Sequence, residues 1–402
     1  MKKFFVFVAL CAVIALSGRA VASEPTYHIG VCTGTVSQGE DEFRSAEELT
    51  RRYGDADRGG MIKHITYPDN FSSEQETAIS QIVSFADDPL MKAVIVNQGI
   101  PGTTEAFRRI REARPDILLF VATIQEEPRM IASAADLIAH SENVGRGYLM
   151  VHTAHELGCT DYVFISFPRH MSSQLASQRA AVMEEACNEL GMKYHFESAP
   201  DPISDVGLPG AQQFILEHVP QWVRKYGPKT AFYCTNDGET EPLLKRIAEG
   251  EGYFIEADLP SPLMGYPGAL GLNLADVAGD FPAILKRVEE AVIAKGGSGR
   301  MGTWAYSLGF TLTVALGEYA RDCIEGGVTP RTFRRHLKMA DVLAKFNEAT
   351  PGATWNGSIY SDVNTGLRLR NMLMFYQDTY IFGKGYMHTT DVVIPEKYYQ
   401  LK

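Results

Sequence analysis

The segment TAFYCTNDGETEPLLKRI, Thr230 to Ile247, passes from an apolar run through Asn236 and Asp237 into a helical pattern. A short apolar run bounded by turn residues is typical of a buried strand. Side chains at the carboxyl end of a parallel strand face the crevice in which open α/β sheets bind ligands. The segment therefore predicts a strand followed by a helix, with Asn236 and Asp237 at a binding site or, alternatively, with Asp237 as a helix N-cap.

Strands and helices alternate on both sides of this segment. In the first part of the chain the predicted strands are YHIGVCTG, MIKHITY, KAVIVNQG and DILLFVATI. After residue 143 the alternation begins again with DYVFISF, MKYHFES, TAFYCTN and GYFIEAD. Alternating strands and helices favour parallel sheets. Two successive sets of similar size predict two lobes, each with its own sheet.

The chain beyond Asp258 is less regular, because proline and glycine interrupt it. Further helices are predicted at Phe281 to Ala294, Trp304 to Ile324 and Thr332 to Phe346. The segment TTDVVIPEKYY near the carboxyl terminus predicts one last strand.

The amino terminus has the pattern of a secretory signal peptide. Lys2 and Lys3 precede an apolar run, and Ala20-Val21-Ala22 supplies the small residues of a cleavage site. The run is too short to span a bilayer, and Cys11 lacks the context of a lipidated cysteine. We therefore expect cleavage after Ala22 and a periplasmic location.

Charge and cysteine content narrow the class of protein. The formal net charge of -11 disfavours nucleic acid and anionic membrane surfaces as partners. Five cysteines follow the predicted signal peptide, an odd number without a C-x-x-C motif, which is neither a zinc signature nor a disulfide framework. The sequence leaves open whether one disulfide forms, and Cys159 and Cys187 are the candidate pair.

The signal peptide, the two α/β sets and the late segment WAYSLGFTLTVALGEYARDCI together resemble the type I periplasmic binding protein superfamily. Within it the chain is most similar to an exported bacterial family of unknown function, itself likened to sugar-binding components of ABC transporters. The resemblance implies an α/β fold of two Rossmann-like lobes with parallel sheets, joined by a hinge of about three strands. It implies a signal peptide at 1–22, an N-terminal lobe of 23–143 plus about 300–330, and a C-terminal lobe of 144–299 plus about 331–402. TTDVVIP resembles the closing strand of the second lobe.

Arg179 is the candidate ligand contact on the predicted helix Ser172 to Leu190. It shares an apolar face with Leu175 and Val182, where a guanidinium needs a partner or an extended path to water. The resemblance implies that an arginine near this point reaches the ligand, with Arg169 as a weaker alternative. It also places an acidic or amide residue at Asn236 and Asp237 against ligand hydroxyls.

Polar residues follow the predicted strands of the first lobe. Ser37, Gln38, Gln98 and Gln125 each lie between a strand and a helix start, where backbone N–H groups receive oxygen-rich ligands. Their shared position at strand ends makes them candidate ligand contacts.

Two aromatic residues flank the expected hinge. Tyr266 and Trp304 could stack on the face of a sugar or base, although aromatic residues in such a composition are more often core.

Metal and cofactor signals are weak. HTAHE places His152, His155 and Glu156 within one helical turn, but spacing fixes no third ligand. The chain lacks a G-x-x-x-x-G-K-[ST] phosphate loop and a G-x-S-x-G elbow. We expect neither a metal nor a cofactor.

These patterns predict a monomeric periplasmic solute-binding protein, with no enzymatic activity. It would capture a small polar ligand, such as a sugar or nucleoside, and deliver it to the membrane permease of an ABC importer. Two alternatives remain. One is an exported hydrolase or lyase with Asp237 as general acid or base and His155 or Glu127 as its partner. The other is a sensory binding subunit with the same fold.

Overall fold

The first lobe contains the predicted alternation of strands and helices. The structure, a computed structural model, describes residues 26–401, so the predicted signal peptide, its cleavage site and Cys11 lie outside the described residues. The first nine elements are β1 (His28–Thr33), α1 (Val36–Tyr53), β2 (Ile62–Thr66), α2 (Gln75–Val83), β3 (Met91–Gly99), α3 (Thr103–Ala113), β4 (Leu118–Ile124), α4 (Pro128–Ala134) and β5 (Leu137–Ser141).

These five strands form a parallel sheet in the order β2-β1-β3-β4-β5. The chain reverses its direction of progress across the sheet between β1 and β3, which is the topological switch point of such folds. Most residues of β3 and β4 are buried, as expected for parallel strands covered on both faces.

The second lobe repeats this order. Its elements are α5 (Gly145–Glu156), β6 (Asp161–Ser166), α6 (Pro168–Met171), α7 (Gln174–Glu189), β7 (Lys193–Ser198), α8 (Gly207–Tyr226), β8 (Thr230–Cys234), α9 (Asp237–Glu249), β9 (Tyr253–Phe254), α10 (Tyr266–Leu270) and α11 (Phe281–Ala294). The strands are parallel in the order β7-β6-β8-β9, which matches β2-β1-β3-β4 of the first lobe. The expected two-lobed α/β fold of the type I periplasmic binding proteins is therefore confirmed.

The rest of the chain completes both lobes. Its elements are β10 (Gly302–Trp304), α12 (Leu308–Glu325), α13 (Pro330–His336), α14 (Met339–Ala349), β11 (Trp355–Ser361), β12 (Arg368–Gln377), β13 (Thr379–Ile381) and β14 (Gly385–Tyr386). Strand β12 is parallel to β5 and carries β11 at the edge of the first sheet. Strands β10, β13 and β14 form a small antiparallel sheet, which a bridge between Phe254 and Met301 links to β9.

The late segments differ from the sequence-based expectation in three ways. Trp304 ends a strand rather than starting a helix, because Ser307 caps α12 by accepting a hydrogen bond from the backbone N–H of Phe310. The predicted helix Thr332 to Phe346 is two helices, since Leu337 has an extended backbone. TTDVVIPEKYY forms two 3-10 turns and no strand in the described structure, and its Thr389 is held by the carboxylate of Asp378.

The division of the tail also differs. Residues 331–402 were expected in the second lobe, but β11 and β12 extend the first sheet and α14 packs on α12. The reason is that β12, with its apolar MLMF run, has the open edge of β5 as a parallel partner. Only β13, β14 and the last turns return to the second lobe.

The chain passes between the two lobes three times. The passages lie between β5 and α5, between β10 and α12, and between β12 and β13. This number agrees with the three connecting strands that the family resemblance implies.

Helix α12 is buried along most of its length in the first lobe, against α1, β3 and β4. None of the helices within residues 26–401 is both long and apolar enough to cross a membrane. The five cysteines of the described chain are buried and unpaired, including Cys159 and Cys187.

Candidate functional site

A cleft lies at the carboxyl ends of the first-lobe strands, where the second lobe approaches. We call it the interlobe cleft. Its volume is about 390 Å³. Its walls are residues 36–42, Gln98, Thr123 and 307–309 from the first lobe, and residues between Leu259 and Pro267 from the second. Since 36–42 follow β1 and Gln98 is the penultimate residue of β3, the cleft sits at the switch point where this class of sheet binds ligands.

Two carboxylic acids of α1 dominate the first-lobe wall. Glu42 is only 8% exposed, and its one side-chain hydrogen bond in the described structure comes from Gln98 Nε2 at 3.4 Å. Ser261 Oγ donates to Asp41 Oδ2 at 3.3 Å across the cleft. Burial raises the pKa of Asp41 to about 7, and it raises the pKa of Glu42 as well. Neither acid has an ion-pair partner within residues 26–401.

Thr123 of β4 and Gln98 of β3 line the cleft at the ends of their strands. Thr123 is 9% exposed, and its hydroxyl has no hydrogen-bond partner among the described residues. Its φ of +49° is unusual for a β-branched residue. Gln98 Oε1 accepts a hydrogen bond from Gln125 Nε2 at 2.6 Å, so the two predicted amides act as a pair.

Ser37 and Gln38 also line the cleft, as their position after β1 predicts, but they are engaged by a loop. Ser37 Oγ donates to Asp69 Oδ2 at 2.9 Å, and Gln38 Nε2 donates to the backbone oxygen of Asp69 at 3.1 Å. Both side chains are exposed at the rim. A ligand would have to share or replace these contacts.

In the second lobe, Asn236 and Asp237 have different roles. Asn236 is the N-cap of α9, and its Oδ1 accepts a hydrogen bond from the N–H of Gly238 at 2.9 Å. Asp237 is the first residue of the helix. The alternative that Asp237 is the N-cap is therefore wrong, because the amide before it already fills that position.

The carboxyl of Asp237 is poorly compensated. Its Oδ1 is buried without a partner in the described part of the chain. Burial, and then the charge of Asp258, raises the pKa of Asp237 to about 7, against a hydrogen bond from the backbone of Leu259. Glu239, two residues further along α9, has both carboxyl oxygens buried and unpartnered within residues 26–401, and burial raises its pKa to about 8.

Arg179 forms an ion pair with Asp258 of the same lobe, so its partner is a protein side chain rather than a ligand. Its side chain is 5% exposed, and its Nε donates to the backbone oxygen of Asn143 at 2.8 Å. Its Nη1 contacts Tyr233 and Asp258, and its Nη2 donates to the side-chain oxygen of Asn143. Although burial opposes the effect, Arg179 holds the pKa of Asp258 below its usual value. The guanidinium therefore organises the second-lobe strand ends and is largely used within the fold.

The aromatic expectation is corrected by the structure. Tyr266 is 1% exposed, packs edge-on against Phe382 and donates its hydroxyl to the backbone oxygen of Gly302 at 2.7 Å. Trp304 is 0% exposed and packs against Trp355. Both rings belong to hydrophobic core clusters in which residues of other elements cover them, and neither residue lines the cleft.

The weaker ligand candidate and the groups named for catalysis are not gathered at Asp237. Arg169, the weaker candidate for a ligand-binding arginine, lies on α6 and pairs with Asp201 at 2.7 Å. Glu127 caps α4 in the other lobe by accepting a hydrogen bond from the N–H of Met130. His155 lies in the last turn of α5. The charged groups that act on Asp237 are Asp258, Arg146 and Arg179 rather than His155 or Glu127.

A larger groove of about 1060 Å³ lies elsewhere on the first lobe. Its lining includes Arg129, Arg334, Arg368 and Arg370. Arg368 and Arg370 begin β12, so the groove is at the amino ends of the strands and not at the end where ligands bind.

Comparison with known proteins gives the family. A model described as "Protein of unknown function (DUF3798)" matches residues 27–302, more than half of the chain. The chain belongs to this family. A second family model matches residues 313–401. Two proteins of Treponema pallidum (strain Nichols), each named "Uncharacterized protein", are similar to this chain. The first is 34% identical, over 55% of this chain and 100% of its own length. The second is 40% identical, over 44% of this chain and 80% of its own length.

A solved structure shares this fold, and a second is similar to a smaller degree. The crystal structure of a "Putative transcriptional regulator" from Clostridium difficile 630 has a TM-score of 0.78 at 21% identity, over 89% of this chain and 99% of that one. A sugar ABC transporter structure from Actinomyces odontolyticus ATCC 17982 has a TM-score of 0.49 at 10% identity, over 75% and 84% of the two chains. The first match, nearly full-length, agrees with the two-lobed architecture of the DUF3798 chain and says nothing about its ligand.

Sequence reasoning missed Asp41, Glu42 and Thr123 of the DUF3798 chain. The burial of Glu42 was predictable from the sequence, because Ala46 is four residues and Leu49 seven residues further along α1, on the same buried face. A carboxylate on such a face is costly unless it has a partner or a ligand. Thr123 carried no signal, since its backbone angle and its missing partner are properties of the folded chain.

Proposed function

We propose that this protein is an exported solute-binding protein that encloses a small polar ligand in the interlobe cleft. One observation carries the proposal: a cleft of about 390 Å³ at the switch point has polar walls from both lobes. A ligand that contacts Asp41 or Gln98 on one side and Ser261 on the other would be held by both lobes only when they are closed. Such a ligand shifts the population towards the closed state.

The three passages of chain between the lobes supply the hinge in this proposal. They allow the lobes to rotate while each sheet stays intact, as in hinge closure of other two-lobed binding proteins. Delivery of the ligand to the permease of an ABC importer then requires only binding and release. No covalent step is needed, and the carboxylates act as hydrogen-bond acceptors.

The proposal is tested by small-angle scattering and thermal unfolding of the mature protein with a panel of monosaccharides, nucleosides, amino acids and small amines. We expect one class to raise the melting temperature and to reduce the radius of gyration. Unchanged profiles across the whole panel at millimolar concentration would contradict solute binding in this cleft.

Export is tested separately. Because Ala20-Val21-Ala22 precedes Ser23, the proposal expects the form recovered from the periplasm to begin at Ser23. A mature protein that begins at Met1 would contradict this part of the proposal.

A further inference from the structure

The walls of the interlobe cleft carry negative charge without a balancing cation. Its titratable residues are Glu40, Asp41 and Glu42, and lysine, arginine and histidine are missing from its described lining. Arg44, on the same helix, pairs with Glu40 at 3.3 Å and with Glu47 at 2.7 Å. The charges of Asp41 and Glu42 therefore stay uncompensated within residues 26–401.

A second observation also indicates a ligand. Thr123, a residue 9% exposed, lines the cleft, and its buried hydroxyl lacks a partner in the described chain. Its backbone is in the left-handed region, which is sparsely populated for a β-branched residue. Buried hydroxyls in native proteins are normally hydrogen-bonded, so this oxygen is suited to a contact with the ligand.

The chemistry of these groups selects the ligand. Ionised carboxyls are acceptors only, and a hydroxyl accepts as well as donates. An ammonium group has three donors and no acceptor, so it satisfies Asp41, Glu42 and Thr123 together and neutralises charge. A neutral polyol brings donors but leaves the buried charge uncompensated, which is costly in a cleft shielded from water.

We propose that the interlobe cleft binds a ligand that carries a protonated amine, held by Asp41 and Glu42 with the hydroxyl of Thr123 as a third acceptor. This inference rests on the proposed solute-binding function and names the class of solute.

The protonation behaviour of the two cleft acids agrees with this assignment. Burial raises the pKa of Asp41 to about 7 and raises that of Glu42, as expected for acids that lack a cation. A bound ammonium would lower both pKa values, because an opposite charge within a few ångströms favours the ionised form.

The test compares ligands that differ only in charge. Calorimetric titrations at pH 8 use 1,4-diaminobutane and 1,5-diaminopentane against 1,4-butanediol and 1,5-pentanediol. The amines remain protonated at this pH, as a lysine side chain does. We expect at least one diamine to bind and its diol to bind at least tenfold more weakly or not at all. Equal binding of diamine and diol, or no binding of either diamine, would overturn the inference.

Variants locate the binding. Glu42→Gln and Asp41→Asn should each weaken diamine binding at least tenfold while circular dichroism shows a folded protein. Glu47→Gln is the matched control, because Glu47 is on the same helix, is half exposed and does not line the cleft. Diamine binding that neither cleft variant weakens would place the amine elsewhere and overturn the inference. If a neutral sugar such as ribose binds and compacts the protein while both diamines fail, the amine assignment is wrong and the solute-binding function stands.

Discussion

Arg146 and Glu256 form a buried ion pair where the chain passes between the lobes. Arg146 Nε donates to Glu256 Oε2 at 3.1 Å, and the two side chains are 1% and 3% exposed. Thr379 donates its hydroxyl to the other oxygen of Glu256, and the guanidinium lies 4.9 Å from the ring centroid of Trp304. One ion pair therefore connects residues next to all three passages. The guanidinium of Arg146 also donates hydrogen bonds to the backbone oxygens of Ala257 and Asp258, in the segment after β9.

Replacing Arg146 with methionine should be strongly destabilising. The change leaves Glu256 as an unpaired buried carboxylate, and breaking such a pair from one side costs about 3–5 kcal/mol. Urea unfolding of the two proteins measures the difference. The matched control is Arg44→Met, whose exposed pairs with Glu40 and Glu47 are worth about 1 kcal/mol or less. A loss at Arg146 no larger than at Arg44 would refute the structural role of the pair.

Asp41→Asn should change the pH dependence of stability. The folded protein holds the pKa of Asp41 at about 7, above its usual value, so the folded state binds its proton more tightly than the unfolded chain does. The resulting stability is present at low pH and is lost as pH rises through about 7. Asparagine does not titrate, so the variant should gain about 1 kcal/mol or more relative to the wild type between pH 5 and pH 8. Thermal unfolding at both pH values checks this, and a constant difference would count against it.

Asn236 and Asp237 should separate stability from binding. Asn236→Ala removes the N-cap of α9 and should cost about 1 kcal/mol of folding free energy. Asp237→Asn keeps the cap and should leave the melting temperature unchanged or higher, while it weakens the affinity for a ligand that the carboxylate contacts by about tenfold. Melting curves and calorimetric titrations of both variants test the division. Unchanged affinity in Asp237→Asn would remove Asp237 from the ligand contacts.

Tyr266→Phe should affect folding and not binding. The variant loses the hydrogen bond to the buried backbone oxygen of Gly302 and should be destabilised by about 1–3 kcal/mol. Because the ring lies in the core, the affinity for the ligand measured by titration should stay within twofold. A larger loss of affinity in a folded variant would restore Tyr266 as a ligand contact.

The amino-acid sequence by itself determined the two-lobed architecture. Apolar runs such as TAFYC and helical repeats such as that of α7 are local patterns, and each element forms where its own side chains favour it. The alternation of these elements requires parallel strands, and parallel strands place their carboxyl ends at one edge. For this reason Gln98, Ser37 and Gln38 could be assigned to the cleft before the fold was known.

The tertiary structure decided which residues share an environment. Strand β12 pairs with β5, which lies more than 200 residues earlier in the chain. The local pattern MLMF predicts a strand but does not predict which strand pairs with it. Trp304 and Tyr266 are core rather than cleft because distant strands cover them. Asp41 and Thr123 become a site only when α1 and β4 meet the 259–267 segment of the other lobe. Burial and charge compensation are sums over neighbours far apart in sequence, so only the folded chain determines them.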